Sequence, residues 1–405
     1  MIRPEILAPA GDEERLAAAL LYGADAVYLS MTEFGMRSAP RNFTPDSLVR
    51  AVETAHRAGA AVHLTCNILP RNGEIDRLPA YFEAAAAAGV DALIVADLGV
   101  MGLAKRYAPR IPLHVSTQFG VVNYQTAREL YGMGAARVVL ARELSLPEIG
   151  EIRQKTPPEL ELECFVHGAM CMSYSGRCLL SNYLAGRDAN HGDCAQPCRW
   201  KYEVIEPGRP EARYTVEEGE TGSFLFNAND LCMIAHLPEL AAAGVCSFKI
   251  EGRAKAAYYV AVTANAYKAA VTGWERSGFA PDYQPEPWVA EELFKVSHRP
   301  YSTGFYYGTP GQNLAFGGYL RPWQAAAVAG EWRQGLLTLS QRNRFCRGET
   351  LEVLEPGKEP FPLPVTELYD EEGRAIDAAP HPTMICRVPF HRPVVPGSIL
   401  RRVNE

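Results

Sequence analysis

One short pattern recurs five times in this chain and limits what it can become. GADAVYL from Gly23, GAAVHL from Gly59, GVDALIV from Gly89, GAARVVL from Gly134 and GVCSFKI from Gly244 share one layout. Each sets a glycine where a helix wants a left-handed cap, then a small residue, then a short β-branched run. Five copies of one helix-to-strand junction imply repeated βα units and a parallel sheet, whose strands read as apolar runs because helices cover both faces. Eight strands are expected: Ile6 to Pro9, Ala26 to Ser30, Ala61 to Asn67, Ala92 to Asp97, Pro112 to Thr117, Arg137 to Ala141, Leu160 to His167 and Cys246 to Glu251. Eight is the number that closes a (βα)8 TIM-like barrel of the α/β class. A doubly wound open sheet is the alternative, but no G-x-G-x-x-G follows the first strand, and Gly132 and Gly134 lie at a helix end.

The C-terminal ends of barrel strands form the working face. Here those ends are polar: Tyr28, Asn67, Asp97, His114 with Ser116 and Gln118, Arg142 with Glu143, His167, and Lys249 with Glu251 and Arg253. A cysteine-rich insertion, residues 168–232, follows the seventh strand and opens on the same face. With 405 residues and 47% apolar content, the chain accommodates one large and one smaller domain. The barrel is expected over 1–285, and a Pro-rich passage, GFAPDYQPEPW, leads into a connector over 286–320. From about Arg321, apolar segments broken by Gly and Pro (GLLTLS, ETLEVLEPG, PVVPGSIL) predict a small antiparallel β-barrel or sandwich over 321–405. Arg333, Arg342, Arg344 and Arg347 crowd there, as a solvated face or as phosphate contacts.

Six of the ten cysteines fall between Cys164 and Cys232. No basic and apolar leader opens the chain, and no run approaches the roughly 18 apolar residues of a membrane span, so a cytoplasmic protein is expected. In a reducing cytosol gathered thiols are metal ligands rather than disulfides. The spacings Cys171-x6-Cys178, Cys194-x3-Cys198 and a distant Cys232 miss the paired C-x2-C of zinc ribbons and suit an iron–sulfur cluster, which tolerates looser spacing. Cys66, Cys246 and Cys386 lie inside apolar runs and read as packed small hydrophobes. His114 also reads as a core histidine, Asp230 as the cap of a helix carrying Cys232, and Arg142 with Glu143 as a structural pair. His167, at the edge of the cysteines, is the histidine favoured for function. A net charge of −7 argues against broad non-specific nucleic-acid binding while leaving room for a local basic face.

The stretches ECFVHGAMCMSYSGRCLLSNY, GDCAQPCRWKY, NANDLC and FKIEGRAKAAYYV resemble the signature of peptidase family U32, the collagenase-like peptidases. ILAPAG, FGMRSAPRNFT, HVSTQFGVVN and VVLARELS add to the likeness, which runs the length of the chain. The family name records proteolysis, whereas its better understood members are oxygen-independent hydroxylases holding a 4Fe-4S cluster. They act on tRNA uridine, ribosomal RNA cytidine or a ubiquinone precursor. The single barrel with one β-domain looks most like the tRNA wobble-uridine hydroxylases, for which the resemblance implies tRNA as partner and prephenate as the small anionic hydroxyl donor. It implies Cys171, Cys178, Cys194 and Cys232 as cluster ligands, with Cys198 as a fifth candidate.

The residues carry their own chemical argument. No H-E-x-x-H, no G-x-S-x-G and no Cys–His pairing outside the cluster supports proteolysis. A hydroxylase using an anionic donor needs cations, and Arg37, Arg142, Lys249 and Arg253 are expected to supply them, with His167, His114 and Glu251 as catalytic candidates. The alternatives are a peptidase, a hydroxylase of rRNA or a quinone precursor, and a non-catalytic RNA-binding protein.

Overall fold

The computed structural model describes residues 3–36, 41–171, 173–174, 177–200, 204–205, 207–208, 213–214, 228–311 and 318–404. Eight parallel strands close into a barrel: β1 (Glu5–Pro9), β2 (Ala26–Leu29), β3 (Ala61–Cys66), β4 (Ala92–Val95), β5 (Leu113–Val115), β6 (Ala135–Val139), β7 (Glu161–Ala169) and β8 (Ser247–Ile250). Each pairs with its sequence neighbour, and β8 bonds to both β7 and β1, which completes the ring and excludes the open sheet. A helix follows each strand: α1 (Glu13–Leu21), α2 (Pro45–Arg57), α3 (Leu78–Ala88), α4 (Leu98–Tyr107), α5 (Tyr124–Gly132), α6 (Leu146–Lys155), α7 (Leu237–Ala242) and α8 (Ala257–Arg276). The five junction glycines all take positive φ, between 75° and 96°, the left-handed conformation that stops each helix and starts the next strand.

Alternation along the strands separates two interiors. Residues facing the helices, such as Ile6, Val27, Leu64, Val95 and Leu162, join one large apolar core between strands and helices. Leu7, Ala26, Tyr28 and Ile94 face inward and form a small separate cluster. A charged layer fills another part of the barrel interior. Arg137 reaches Glu5 at 2.7 Å, Glu161 at 2.7 Å and Glu163 at 2.9 Å, and Lys249 reaches Glu163 at 2.7 Å. Glu163 is fully buried, and its carboxyl is held far below the usual range because Lys249 and Arg137 outweigh its loss of hydration. His63 and His114 complete this layer, their rings edge to face at 4.8 Å.

A further strand, Asp230–Cys232, runs antiparallel to the end of β7, with Cys232 opposite His167. Asp230 does not cap a helix and Cys232 does not ride on one: helix α7 begins only at Leu237. Asp230 is instead buried in an ion pair with Arg299, which donates to it from Nε at 3.0 Å and Nη2 at 2.8 Å. That contact ties part of the 286–320 connector to the strand beside β7. Tyr301–Ser302 adds a strand beside Asp230–Cys232.

The C-terminal domain is antiparallel. Strands β9 (Trp323–Arg333), β10 (Leu336–Gln341), β11 (Thr350–Leu354), β12 (Phe361–Pro364), β13 (Ile385–Pro389) and β14 (Ile399–Val403) follow the order β12-β11-β14-β9-β10-β13 and stay open as a half-barrel around a core of their own. The domain is fastened to the barrel by buried polar contacts. The Tyr22 hydroxyl donates to Leu354 O at 2.7 Å and accepts from Ile399 N at 3.0 Å, Asn265 accepts from Gly357 N at 2.7 Å, and the fully buried Arg401 joins Glu292 to Glu352.

Glu163→Gln would leave Arg137 and Lys249 buried with weakened compensation. The expected cost is about 3–5 kcal/mol, the range for breaking a buried pair from one side. Urea denaturation of the variant against the parent protein measures it; a difference below about 1 kcal/mol would show that the network is not the keystone of the barrel.

Candidate active site

The C-terminal mouth of the barrel holds a small cavity of about 40 Å³, built from strand ends: Tyr28 of β2, Thr65 and Asn67 at β3, Ser116, Thr117 and Gln118 after β5, Phe165 of β7, and Lys249, Glu251 and Arg253 at β8. Asn67 is fixed by accepting from Met36 N at 3.2 Å and donating to Gln118 Oε1 at 3.1 Å. Arg253, almost wholly buried, donates to Thr65 Oγ1 at 2.8 Å, and its guanidinium faces the cavity beside Glu251. Tyr28 Oη donates to Ile250 O at 2.9 Å and lies 3.4 Å from Glu251 Oε2. Lys249 stands under the cavity, 4.7 Å from the Tyr28 ring centroid, its charge already matched by Glu163.

The expected site residues separate into three places. Glu251, Lys249 and Arg253 line the mouth. Arg142 does not line it: its Nη1 donates to Ala169 O at 2.9 Å, and the guanidinium lies over the Phe165 ring at 4.9 Å rather than pairing with Glu143. Arg37 falls outside the described residues. His114 corrects the reading as a strand-end catalyst: it sits below the mouth in the charged layer, where burial holds its pKa well below the ordinary value. His167 is likewise enclosed, among Tyr259, Tyr267 and Tyr301, whose ring centroids lie 6.0, 5.5 and 5.3 Å away, and burial pushes its pKa down to about 3. Two buried neutral histidines away from the cavity are poor proton carriers for chemistry in it.

The cysteine-rich segment leaves β7 at Gly168, whose φ of +106° and absent side chain let the strand pass Glu251; a Cβ there would meet Glu251 O at 2.5 Å. Beyond it, Cys171 lies 2.8 Å from Ser173 Oγ. Backbone N–H groups point at two thiols: Leu180 N donates to Cys178 Sγ at 3.4 Å, and Gln196 N to Cys194 Sγ at 3.3 Å. Asn190 clamps the loop by accepting from Cys178 N at 3.2 Å and donating to Cys178 O at 3.1 Å. Burial raises the pKa of the Cys198 thiol, and Cys171, Cys194 and Cys178 lie near enough to raise it further. Four thiols are therefore gathered: Cys171, Cys178, Cys194 and Cys198. Cys232 stands apart in its strand, pushed up to about 11 by burial and in contact with Tyr267. A second cavity, of about 280 Å³, opens beside Cys171, where Met170, Tyr174, Asn229 and Phe305 border it.

Two other groups were open to a functional reading. His63, His114 and Glu163 bring one ligand atom each within 4.8 Å of one another, but both Glu163 oxygens are taken by Lys249 and Arg137, so a cation there would compete with two buried cations. In the C-terminal domain Arg333 pairs with Glu331 at 2.7 Å, Arg347 with Asp377 at 3.1 Å and Arg342 with Glu14 at 3.6 Å, the pattern of a solvated face. The sequence reading missed Lys255, whose pKa burial lowers to about 8 and whose ammonium sits 3.8 Å from the Tyr319 ring centroid. Its only signal was its place two residues after Arg253.

Residues 11–315 match the model of peptidase family U32, and residues 321–401 match that of its C-terminal domain. The chain is 36% identical to tRNA hydroxylation protein P1 of Bacillus subtilis, over 99% of this chain and 95% of that protein. It is 34% identical to tRNA hydroxylation protein P of Escherichia coli, over 94% and 92%. The Escherichia coli 23S rRNA 5-hydroxycytidine C2501 synthase is 39% identical over 64% of this chain and 38% of its own length.

The buried histidines also set a pH response. Burial depresses His63, His114 and His167 in the folded state. Below about pH 6.5 the unfolded chain takes up protons that the folded chain refuses, so stability is present above that pH and falls beneath it, by up to roughly 1.4 kcal/mol per pH unit for each group. Urea midpoints at pH 7.5, 6.5 and 5.5 should drop mainly over the last step, less steeply in His114→Gln. Equal slopes in the two proteins would mean that His114 titrates normally.

Proposed function

The chain belongs to peptidase family U32, and on that premise we propose that it is an iron–sulfur-dependent RNA hydroxylase acting on tRNA, at the wobble uridine, with prephenate as the hydroxyl donor. The observation that carries the reading is the gathering of Cys171, Cys178, Cys194 and Cys198 on the loop leaving β7, at the working end of the barrel. Near-full-length similarity to proteins named for tRNA hydroxylation supports the substrate class. The similarity to an rRNA hydroxycytidine synthase keeps the chemistry on RNA pyrimidines.

The donor set suits a 4Fe-4S cluster. Burial and the neighbouring thiols disfavour ionisation of Cys198, which bound iron would relieve, and N–H donors to cluster sulfurs, as at Cys178 and Cys194, are the usual means of tuning them. Cys171, Cys178 and Cys194 would hold it, with the fourth place falling to Cys198 by proximity or to Cys232 by family resemblance. Such a cluster, when bound, supplies electron-transfer chemistry that no side chain here can. The chain's own groups do the rest. Arg253 would bring its guanidinium charge to a dicarboxylate, and Lys249 adds positive charge beneath it. Asn67 and Gln118, held to each other, orient the donor's polar atoms, and Glu251 is the carboxylate placed to take up a proton at the mouth. Arg142, bound to Ala169 O, is a positioning residue for the start of the cysteine loop. Proteolysis finds less support: among the described residues no thiol is hydrogen-bonded to a histidine, and His114 and His167 are enclosed.

Anaerobic purification with iron and sulfide analysis tests the cluster. About four irons per chain are expected in the parent protein, with loss in Cys178→Ser. Comparing Cys198→Ser with Cys232→Ser identifies the fourth ligand as the one whose loss empties the site. Deletion of the gene should remove hydroxylated uridine from tRNA digests. Iron-free protein from oxygen-free preparation, or unchanged nucleosides, would overturn the reading.

A further inference from the structure

We propose that Arg199 and Lys255, held together against the ring of Tyr319, form a site for a backbone phosphate of the RNA. This rests on the RNA hydroxylase reading and adds the place where the phosphodiester chain is gripped. The two cations come from separate stretches of chain: Arg199 follows Cys198, and Lys255 stands two residues after Arg253 of the mouth. The Lys255 ammonium lies 3.8 Å from the Tyr319 ring centroid, and the Arg199 guanidinium carbon 5.6 Å from it. Arg199 also donates to the Tyr319 hydroxyl and, from Nη1, to Gln196 Oε1 at 2.7 Å, while Lys255 donates to Ser297 O at 3.2 Å.

Each of those acceptors is neutral. A third cation, Arg299, lies 5.7 Å from the same ring centroid, but Asp230 already matches its charge. Among the described residues no carboxylate forms an ion pair with Arg199 or Lys255. Like charges held together without a counter-ion repel, and an anion placed between them removes that cost. Burial lowers the pKa of Lys255 to about 8, and Arg199 and Arg299 add to the effect against the pull of Asp230 and Glu251. The charges are within reach of a ligand: Arg199, Lys255 and Tyr319 are half-buried, and Arg199 Nη2, which bonds nothing among the described residues, keeps contact with solvent. The surroundings favour a nucleic-acid phosphate over a small anion. Trp200, next to Arg199, is 43% exposed, and Tyr183 is 81% exposed on the short helix Leu180–Ala185, which packs against the turn Pro197–Arg199. Cations beside exposed aromatic rings make the kind of surface on which single-stranded nucleic acid lies, its phosphates on the cations and its bases on the rings.

The test uses the cluster-loaded protein and fluorescence anisotropy with two anticodon stem-loop RNAs, one bearing uridine and one cytidine at the first anticodon position. A phosphate contact is blind to the base, so Lys255→Gln should weaken binding of both RNAs alike, by about tenfold, the worth of one charge-assisted hydrogen bond. The slope of log affinity against log salt should fall by about one. Arg199→Gln should do the same, whereas Lys255→Arg should keep the affinity and slope of the parent protein. Iron content should be unchanged in both Lys255 variants. Parent-like affinity and slope in the two Gln variants, or weakening confined to the uridine RNA, would overturn the site; so would iron loss in Lys255→Gln, because the ammonium would then serve the thiols. If any of these is seen while the parent hydroxylates tRNA, the phosphate site falls and the hydroxylase reading stands. If the parent neither binds nor hydroxylates the RNA, both fall together.

Discussion

Glu163 is the point on which the barrel turns. A carboxylate with no exposed surface is tolerable only if cations and donors surround it. Lys249 from β8, Arg137 from β6 and Ser247 from β8 meet it, and through Arg137 the link extends to Glu5 on β1. Every one of these strands flanks the seam where β7, β8 and β1 close the ring. An apolar interior could pack in more than one register, whereas this set of fixed partners is satisfied in one, because a slip of a single residue would turn Glu163 out into the apolar layer beneath the helices.

That network also forms the floor of the mouth. Lys249 is shared: its ammonium bonds Glu163 below while the side chain stands against Tyr28 and Phe165 at the cavity. Its position is therefore set by structure before any ligand arrives, and Arg253, anchored to Thr65, is similarly restrained. Preorganised cations of this kind recognise an anion without having to gather on binding. The strand that carries Glu163 passes Phe165 at the mouth and ends at Ala169, just before Met170 and Cys171 at the second cavity, so one continuous stretch of chain connects floor, mouth and the first thiol.

Much of the fold was legible because a parallel barrel repeats one local device. The glycine caps at 23, 59, 89, 134 and 244 require left-handed backbone whatever surrounds them, and the eight expected strands overlap the eight observed. The charged interior was not legible. Glu161 and Glu163 alternate with Leu162 and Cys164, as inward and outward positions must, but inside a closed barrel the inward face looks in sequence like a solvated one. For the same reason His114 read as a strand end when it lies one layer lower. The strand at Asp230–Cys232 was hidden because three residues carry no period, and its partner Arg299 lies 69 positions away. The crowding of thiols was legible in the sequence, whereas the placing of Cys171, Cys178 and Cys194 near Cys198, with Cys232 on a strand beside β7, follows from a tertiary path that spacing alone does not encode.

Charge explains why two cavities would serve this chemistry better than one. RNA brings phosphates and the proposed donor brings carboxylates, so a single positively charged chamber would attract the backbone as readily as the donor. Among the described residues the cations Lys249 and Arg253 line the mouth, and the space by Cys171 has the Glu143 carboxylate as its lining charge. Arg142 stands between the two, stacked on Phe165 of the mouth and bonded to Ala169 at the threshold of the other cavity. Loss of the Arg142 side chain would therefore remove a contact on the wall of the mouth and one at the start of the cysteine loop together.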